Sequence, residues 1–323
     1  MRGESPSLSV RRGNRHVEVS GLRFGGTVEI DGTRAVVSVE RMSLESPRLR
    51  TSGRLVLDRA VPRAALEMHG GDLDIAPVRG ALLSLAGDVA GVRDVLDYVR
   101  GGRLTLSALR MEGPTIFGRG WIDRLILEGR LGAGNIFVPE ADLNLRDVAG
   151  NVVLSGGILT ADHAEARIGD SRARDGSLRM GVTGRNPPFR IDAQVEADLA
   201  RLPRVLLRLT KDKGLEDELS RIENLQGKAS GRLTIGDRIG SLRVAVDATD
   251  LRLSARYRRV PFPVEVDGGR LRFDENGIAV ERLSGRLGRS AFSGVAAHVR
   301  LGDSPAFERL SGCLLYTSPS PRD

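Results

Sequence analysis

The residue types that could do chemistry are few and dispersed. The four histidines, His16, His69, His163 and His298, lie far apart, with no His-x-x-x-His spacing and no cysteine beside them. A zinc site needs nitrogen and sulfur ligands at short, fixed intervals, so this set gives it no support. His163 stands inside the alternating segment TADHAEARIG. A base or metal ligand is one reading of it, and a strand residue at a rim is the favoured one. Glu216, Asp217 and Glu218 are the densest carboxylates, but on a helix they read as a solvated face rather than an acid pair. Gly132-Ala133-Gly134 lacks the third glycine of a dinucleotide turn, because Phe137 holds that place. Gly227-Lys228-Ala229-Ser230 lacks the upstream glycine of a phosphate loop, because Ile222 holds that place. No Gly-x-Ser-x-Gly nucleophile elbow is present. The expectation is a protein that is not an enzyme and carries no cofactor or metal.

The charge balance raises a second possibility. The formal net charge is +7 and the pI about 10.3. Lysine occurs only at Lys211, Lys213 and Lys228, so arginine carries nearly all of the positive charge. A nucleic-acid surface interleaves basic residues with stacking aromatics. Aromatics make up only 4% of this chain, Trp121 is the single tryptophan, and Tyr257 alone adjoins a basic run, Arg256 to Arg259. Scattered arginines on a wet face, with a charged loop near Tyr257, are the better reading, and no nucleic-acid partner is expected.

Cys313 is the only cysteine and opens the tail CLLYTSPSPRD. That tail resembles translated adapter sequence and is set apart as a non-native segment, 313–323. The remainder is free of cysteine, which suits an oxidising compartment. MRGESPSLSV has no apolar leader core, and no stretch reaches the ~18 apolar residues of a membrane span. With an adapter-like end, the chain reads as a fragment whose Met1 was an internal residue.

Short strands must position whatever this chain does. Residues 1–73 form a first β segment, in which VEVSGLRF, TVEIDG, AVVSVERMSL and GRLVLD alternate apolar with polar residues. An amphipathic helix is predicted over 74–101, with Val78, Leu82, Leu85, Val89, Val92, Leu96 and Val99 as its stripe. Pro77 suits its first turn and Gly101 its end, leaving Arg79, Asp88, Arg93 and Asp94 in water. Strands return over 102–197, a helical insert broken at Pro203 and Gly214 fills 198–227, and strands resume over 228–312. Leu242, Val244 and Val246 oppose Arg243, Ala245 and Asp247, while Leu125 and Leu127 oppose Arg124, Ile126 and Glu128. This is the pattern of an antiparallel sheet with one dry and one wet face.

The pattern also repeats. From Leu143 the order is strand, Gly150, strand, Gly156-Gly157, strand, Gly169-Asp170-Ser171, Gly176. From Val264 it recurs with Gly269, Gly277, Gly288-Arg289-Ser290 and Gly294. Gly169 lies as far beyond Gly150 as Gly288 lies beyond Gly269, and a looser copy runs from Gly26 through Gly32 to Gly53. Such repeats mean a sheet that grows by adding units.

The units LRDVAGNVVLSGGILTADHAEARIGDSRARDGSL and VEVDGGRLRFDENGIAVERLSGRLGRSAFSG, with LARLPRVLLRL between them, resemble the AsmA-like family of bacterial envelope proteins. The likeness is to the large YhdP and TamB kind and runs over roughly Leu104 to Gly294. The resemblance implies a mostly β fold, a long curved antiparallel sheet with two helical insertions and an apolar groove. It also implies passage of phospholipid between inner and outer membranes, in support of outer-membrane biogenesis. The location implied is the periplasm of a Gram-negative bacterium, with an inner-membrane anchor outside this fragment. Phospholipid acyl chains would be the partner. The candidate lining is Leu125, Leu127, Leu143, Leu145, Val152, Leu154, Leu242, Val244, Val246, Leu251 and Leu253. The competing readings are an ordinary sandwich core for these side chains, a structural β-solenoid or adhesin passenger without lipid transport, and an enzyme on a β scaffold.

Overall fold

The computed structural model describes residues 2–88, 92–115, 120–139, 143–201, 203, 213–238, 240–300 and 306–315. The chain is mostly β, with 74% of it in strands, which pair antiparallel in an open sheet and not a closed barrel. It divides into two units. The first holds Met1–Pro139, Leu143–Arg167 and Ser177–Pro188, and the second includes Ile168–Gly176 and Phe189–Asp323.

In the first unit, β1 (Arg2–Arg12), β2 (Arg15–Asp31), β3 (Arg34–Leu44), β4 (Leu49–Asp58) and β5 (Arg63–His69) each pair with the next in sequence. Both β5 and the short β6 (Asp72–Asp74) pair with β7 (Val99–Gly113), so they act as one strand interrupted at Gly70-Gly71. β7 pairs with β8 (Ile126–Val138), β8 with β9 (Leu143–Ser155), and β9 with β10 (Ile158–Ile168). β11 (Ser171–Gly181) has residues 177–181 in this unit and 171–176 in the second, and β12 (Pro188–Asp198) belongs to the second from Phe189 on. In the second unit β13 (Ile222–Arg238), β14 (Ser241–Tyr257), β15 (Val264–Asp274), β16 (Gly277–Leu287), β17 (Ser290–Arg300) and β18 (Ala306–Leu315) form an uninterrupted meander. Neighbour-to-neighbour antiparallel pairing differs from a β-solenoid, whose coils stack strands in parallel.

The helical stretches differ from the sequence reading in detail. The stripe predicted over 74–101 forms two helices, α1 (Ile75–Ala86) and α2 (Val92–Tyr98), and Val99 to Gly101 already belong to β7. Val89 lies outside the described residues, as does the side chain of Asp94. Arg79 is not simply in water: its Nε donates to the Leu96 carbonyl at 2.6 Å and ties α1 to α2. Asp88 is exposed and accepts from Arg12 and Arg15, each at 2.8 Å, while Arg12 also donates to the Leu85 carbonyl. α1 therefore leaves β6 at its start and is fastened to the β1–β2 turn at its end, with Ala86 2% exposed. Trp121–Arg124, expected on a strand, forms one helical turn, α3, before β8.

Within the stretch 198–227, Leu199–Arg201 is a 3-10 turn, Lys213–Ser220 is a helix (α4), and Ile222 already begins β13. Most of LPRVLLRLTKDK lies outside the described residues. In the segment set apart as a tail, Cys313 to Leu315 pair with Ser293 to Ala291 and extend β18, because ladder bonds use main chain that any residue supplies.

Candidate functional site

Strand β14 shows how the apolar face is built. Leu242, Val244, Val246 and Ala248 alternate with Arg243, Ala245 and Asp247, and then the parity changes to Leu251, Leu253 and Ala255. Alternation has period two, so a change of parity would turn the second group onto the wet face. The register prevents this. Ser230 pairs with Asp250 and Gly231 with Ala248, which leaves Thr249 as an extra residue on β14. This β-bulge absorbs one residue and keeps both groups on one face.

The neighbouring strands carry the same device at the same level. On β15, Val264 and Val266 pair with Ala255 and Leu253, whereas Leu271 and Phe273 pair with Ala248 and Val246. Gly269, at φ 134°, stands between the two groups. On β16 the switch from Ile278 and Val280 to Leu283 comes at Arg282, at φ 52°. On β17 the switch between Phe292 and Val295 comes at Gly294, at φ 64°. Gly269 also has no room for a side chain, since a Cβ there would lie 2.5 Å from Leu283 Cδ2 and 2.9 Å from its Cα.

The first unit follows the same rule. β8 changes parity between Leu131 and Gly134 across Ala133 (φ 48°). β9 does so between Leu145 and Val148 across Asp147 (φ 52°). β10 does so between Ala161 and Ala164 across His163 (φ 48°). His163 is thus a strand residue, in the middle of β10, and among the described residues it joins no group of three metal-ligating side chains. Its backbone conformation is what the sheet uses.

The structure brings the candidate lining residues together in two groups, one in each unit. Leu127 pairs with Leu154, and Leu145 pairs with Ile136, on β8 and β9. Leu242, Val244, Val246, Leu251 and Leu253 share the face of β14. Leu125, Leu154, Val244 and Leu251 are buried, at 8%, 7%, 8% and 5% exposure. Leu127, Leu145, Val152, Leu242, Val246 and Leu253 are half-buried. The side chain of Leu143 lies outside the described residues.

Sequence reasoning missed Ala229, Val266, Leu271, Leu283, Phe292 and Leu199. Ala229 and Val266 pair across the ladder with Leu251 and Leu253, and a hairpin register would have found them; Leu271 pairs with Ala248, and Leu283 and Phe292 carry the face onto β16 and β17. Leu199, 3% exposed, reaches the face from the 3-10 turn and packs among Ala229, Ala248, Leu251 and Val266. It covers the middle of the face, while Leu253, Val264, Leu271, Leu283 and Phe292 around it stay half-buried. No periodicity could have announced that contact.

The opposite face is a ladder of ion pairs. Arg270 grips Asp247 through two bonds of 2.8 and 2.6 Å, and Arg272 adds a third contact at 3.6 Å. The Arg270 guanidinium, helped by Arg272, holds the Asp247 carboxyl below its ordinary range despite some desolvation. At Asp192 burial pushes the carboxyl up, but Arg232 and Thr234 more than offset it and the net shift is downward. These carboxylates are paired with arginines of neighbouring strands on the polar face.

Among the described residues the other chemically capable groups form no larger cluster. His69 contacts Glu67 at 3.1 Å and His298 contacts Glu308 at 2.8 Å, both exposed. Glu216 and Asp217 are exposed on α4. Among the described residues, no three His, Cys, Asp or Glu side chains gather as a metal site would need. No described helix is long and apolar enough to cross a membrane. Comparison with protein-family models, with curated proteins and with solved structures finds no match.

Proposed function

We propose that this chain is a hydrocarbon-holding element of a bacterial envelope protein, and that its apolar sheet faces carry phospholipid acyl chains. The observation that supports this reading most is the bulge in each of β14 to β17, which keeps aliphatic residues on one face through a change of parity. A sheet that needed only a small core would not have to maintain that face along whole strands of 11 to 17 residues.

The physics of such a role is direct. One acyl chain of about 16 carbons costs on the order of 13 kcal/mol to place in water, at roughly 0.8 kcal/mol per methylene. A face lined by partly exposed Leu, Val and Phe removes much of that cost. It offers few directional bonds, so a chain can slide along it. The head group meanwhile stays in water. On this reading the protein acts by binding and not by catalysis, and its partners are phospholipids passing between inner and outer membranes across the periplasm. The resemblance to AsmA-like proteins adds the location and an anchor in the inner membrane to the proposal.

The test is a photo-crosslinking amino acid placed at Leu253 on the apolar face and, separately, at Arg252 on the wet face. Irradiation in cells followed by mass spectrometry is expected to give a phospholipid adduct at position 253 and none at 252. Equal labelling at both positions, or none at either, overturns the proposal.

A further inference from the structure

Leu199 reaches the apolar face of the second unit from outside the ladder of β13 to β17. It comes from the 3-10 turn Leu199–Arg201 and is the most deeply buried member of the cluster it joins, at 3% exposure. The strands leave room for it. Ala229 and Gly231 on β13 and Ala248 on β14 stand where the same face elsewhere carries Leu233, Ile235, Val244 and Val246, so the face is lowered there and Leu199 fills the gap. The turn is also fastened apart from that contact. The Asp198 amide donates to Ser171 Oγ at 3.0 Å, and the Ala200 amide donates to Asp198 Oδ1 at 3.1 Å. The Arg201 guanidinium takes the space where Gly169, at φ 60°, would carry a side chain, since a Cβ there would lie 2.5 Å from Nη1. On either side of Leu199 the face is less covered. Leu253 and Val264 are half-buried toward one end of the strands, and Val246 and Phe273 toward the other.

We propose that Leu199 is a plug that sets the length of hydrocarbon this face accepts. It rests on the acyl-chain reading above and adds a limit to it. A chain lying along β14 from the Tyr257 end passes Leu253 and then meets Leu199, before it can reach Val246. The stretch of β14 from Leu253 to Tyr257 is on the order of 15 Å long, which a short acyl chain fills and a long one overruns. The overrun either stays in water, at a cost for each methylene, or displaces Leu199 from the small residues beneath it. The bond from Asp198 to Ser171 holds the turn against that displacement, so it belongs to the same limit. A side chain that only filled the core would change stability and leave the ratio of affinities for long and short chains alone.

The experiment is equilibrium dialysis of radiolabelled octanoate and palmitate, each below its micelle concentration, against the whole chain. Leu199→Ala is expected to raise the affinity for palmitate about tenfold and that for octanoate less than about twofold. Leu199→Met keeps the volume of the plug and is expected to leave both unchanged. Ser171→Ala removes the acceptor of the Asp198 amide while Leu199 stays in place, and is expected to raise the affinity for palmitate alone, about threefold. Far-ultraviolet circular dichroism shows whether each variant is folded, and Ser171→Ala carries the same test should Leu199→Ala unfold. A ratio of palmitate to octanoate affinity that neither Leu199→Ala nor Ser171→Ala moves, or an equal rise for both acids, overturns the inference and leaves acyl-chain binding standing. Absence of binding of either acid to wild type and variants alike counts against acyl-chain binding itself and removes the inference with it.

Discussion

His163 and Arg282 hold the same left-handed backbone conformation, φ 48° and 52°, at the same point of their repeats. Gly150 and Gly269 stand in the same relation (φ 155° and 134°), as do Gly169 and Gly288 (φ 60° and 61°) and Asp175 and Gly294 (φ 49° and 64°). The repeat is therefore conformational first. It preserves the places where each strand must bulge and turn, and it allows His, Arg, Asp or Gly to occupy them. Outside glycine, that conformation costs roughly 1–2 kcal/mol per residue.

Arg282→Gly is therefore expected to be tolerated, gaining about 0.5 kcal/mol once the looser unfolded chain is counted. Arg282→Val, with a branched side chain at φ 52°, is expected to lose about 2 kcal/mol. Urea midpoints for the two variants check this. Equal stability of the two would mean that position 282 is not held left-handed.

Gly269 is the stronger case, because backbone and space both exclude a side chain there. Gly269→Val places a Cβ against Leu283 in a backbone that branched residues avoid, and is expected to cost about 3 kcal/mol or more. Gly268→Val, one residue earlier in the same strand, meets only the Ser284 hydroxyl at 3.7 Å and is expected to cost under about 1 kcal/mol. Thermal melting of the two variants separates the claims.

Much of this fold was legible in the sequence. Alternation at Leu242 to Asp247 marks a half-wet strand, and the Gly169 and Gly288 turns mark hairpins, because these signals are local. The face was partly legible: choosing both Val246 and Leu251 already implied a parity change, which Thr249 accomplishes. What stayed hidden is non-local. Leu199 covers the face from a distant turn, and Arg79 is drawn out of water by the Leu96 carbonyl. The stripe of Val78 to Val99 gave no sign that Val99 would leave the helix for β7.

Burial should separate side chains that hold the fold from those left for a ligand. Leu251→Ala, at a site 5% exposed, is expected to lose 2–4 kcal/mol. Leu253→Ala, half-buried two residues on, is expected to lose less, about 1 kcal/mol, because part of the leucine is already exposed to water. Chemical denaturation of each variant reads the difference. Equal losses would mean that the whole face belongs to a closed core, which would also remove the support for acyl-chain binding.

The wet face predicts the response to acid. Arg270 and Arg272 depress the Asp247 carboxyl in the folded chain, so the folded state binds a proton there less readily than the unfolded state does. The stability from this pairing is present above the ordinary aspartate value of about 3.9 and is lost as pH falls through the lower, folded value. Asp247→Asn removes that dependence. Wild type is expected to be the more stable at neutral pH, and the two stability curves should close on one another below about pH 4. The difference will be modest, since Asp247 and Arg270 are both about one third exposed, at 37% and 30%, and water screens the pair. Denaturation midpoints measured from neutral to acid pH test the sign. A gap between the two proteins that widened toward acid would mean that Asp247 is not held as the carboxylate by Arg270, and the account of the polar wall would fail with it.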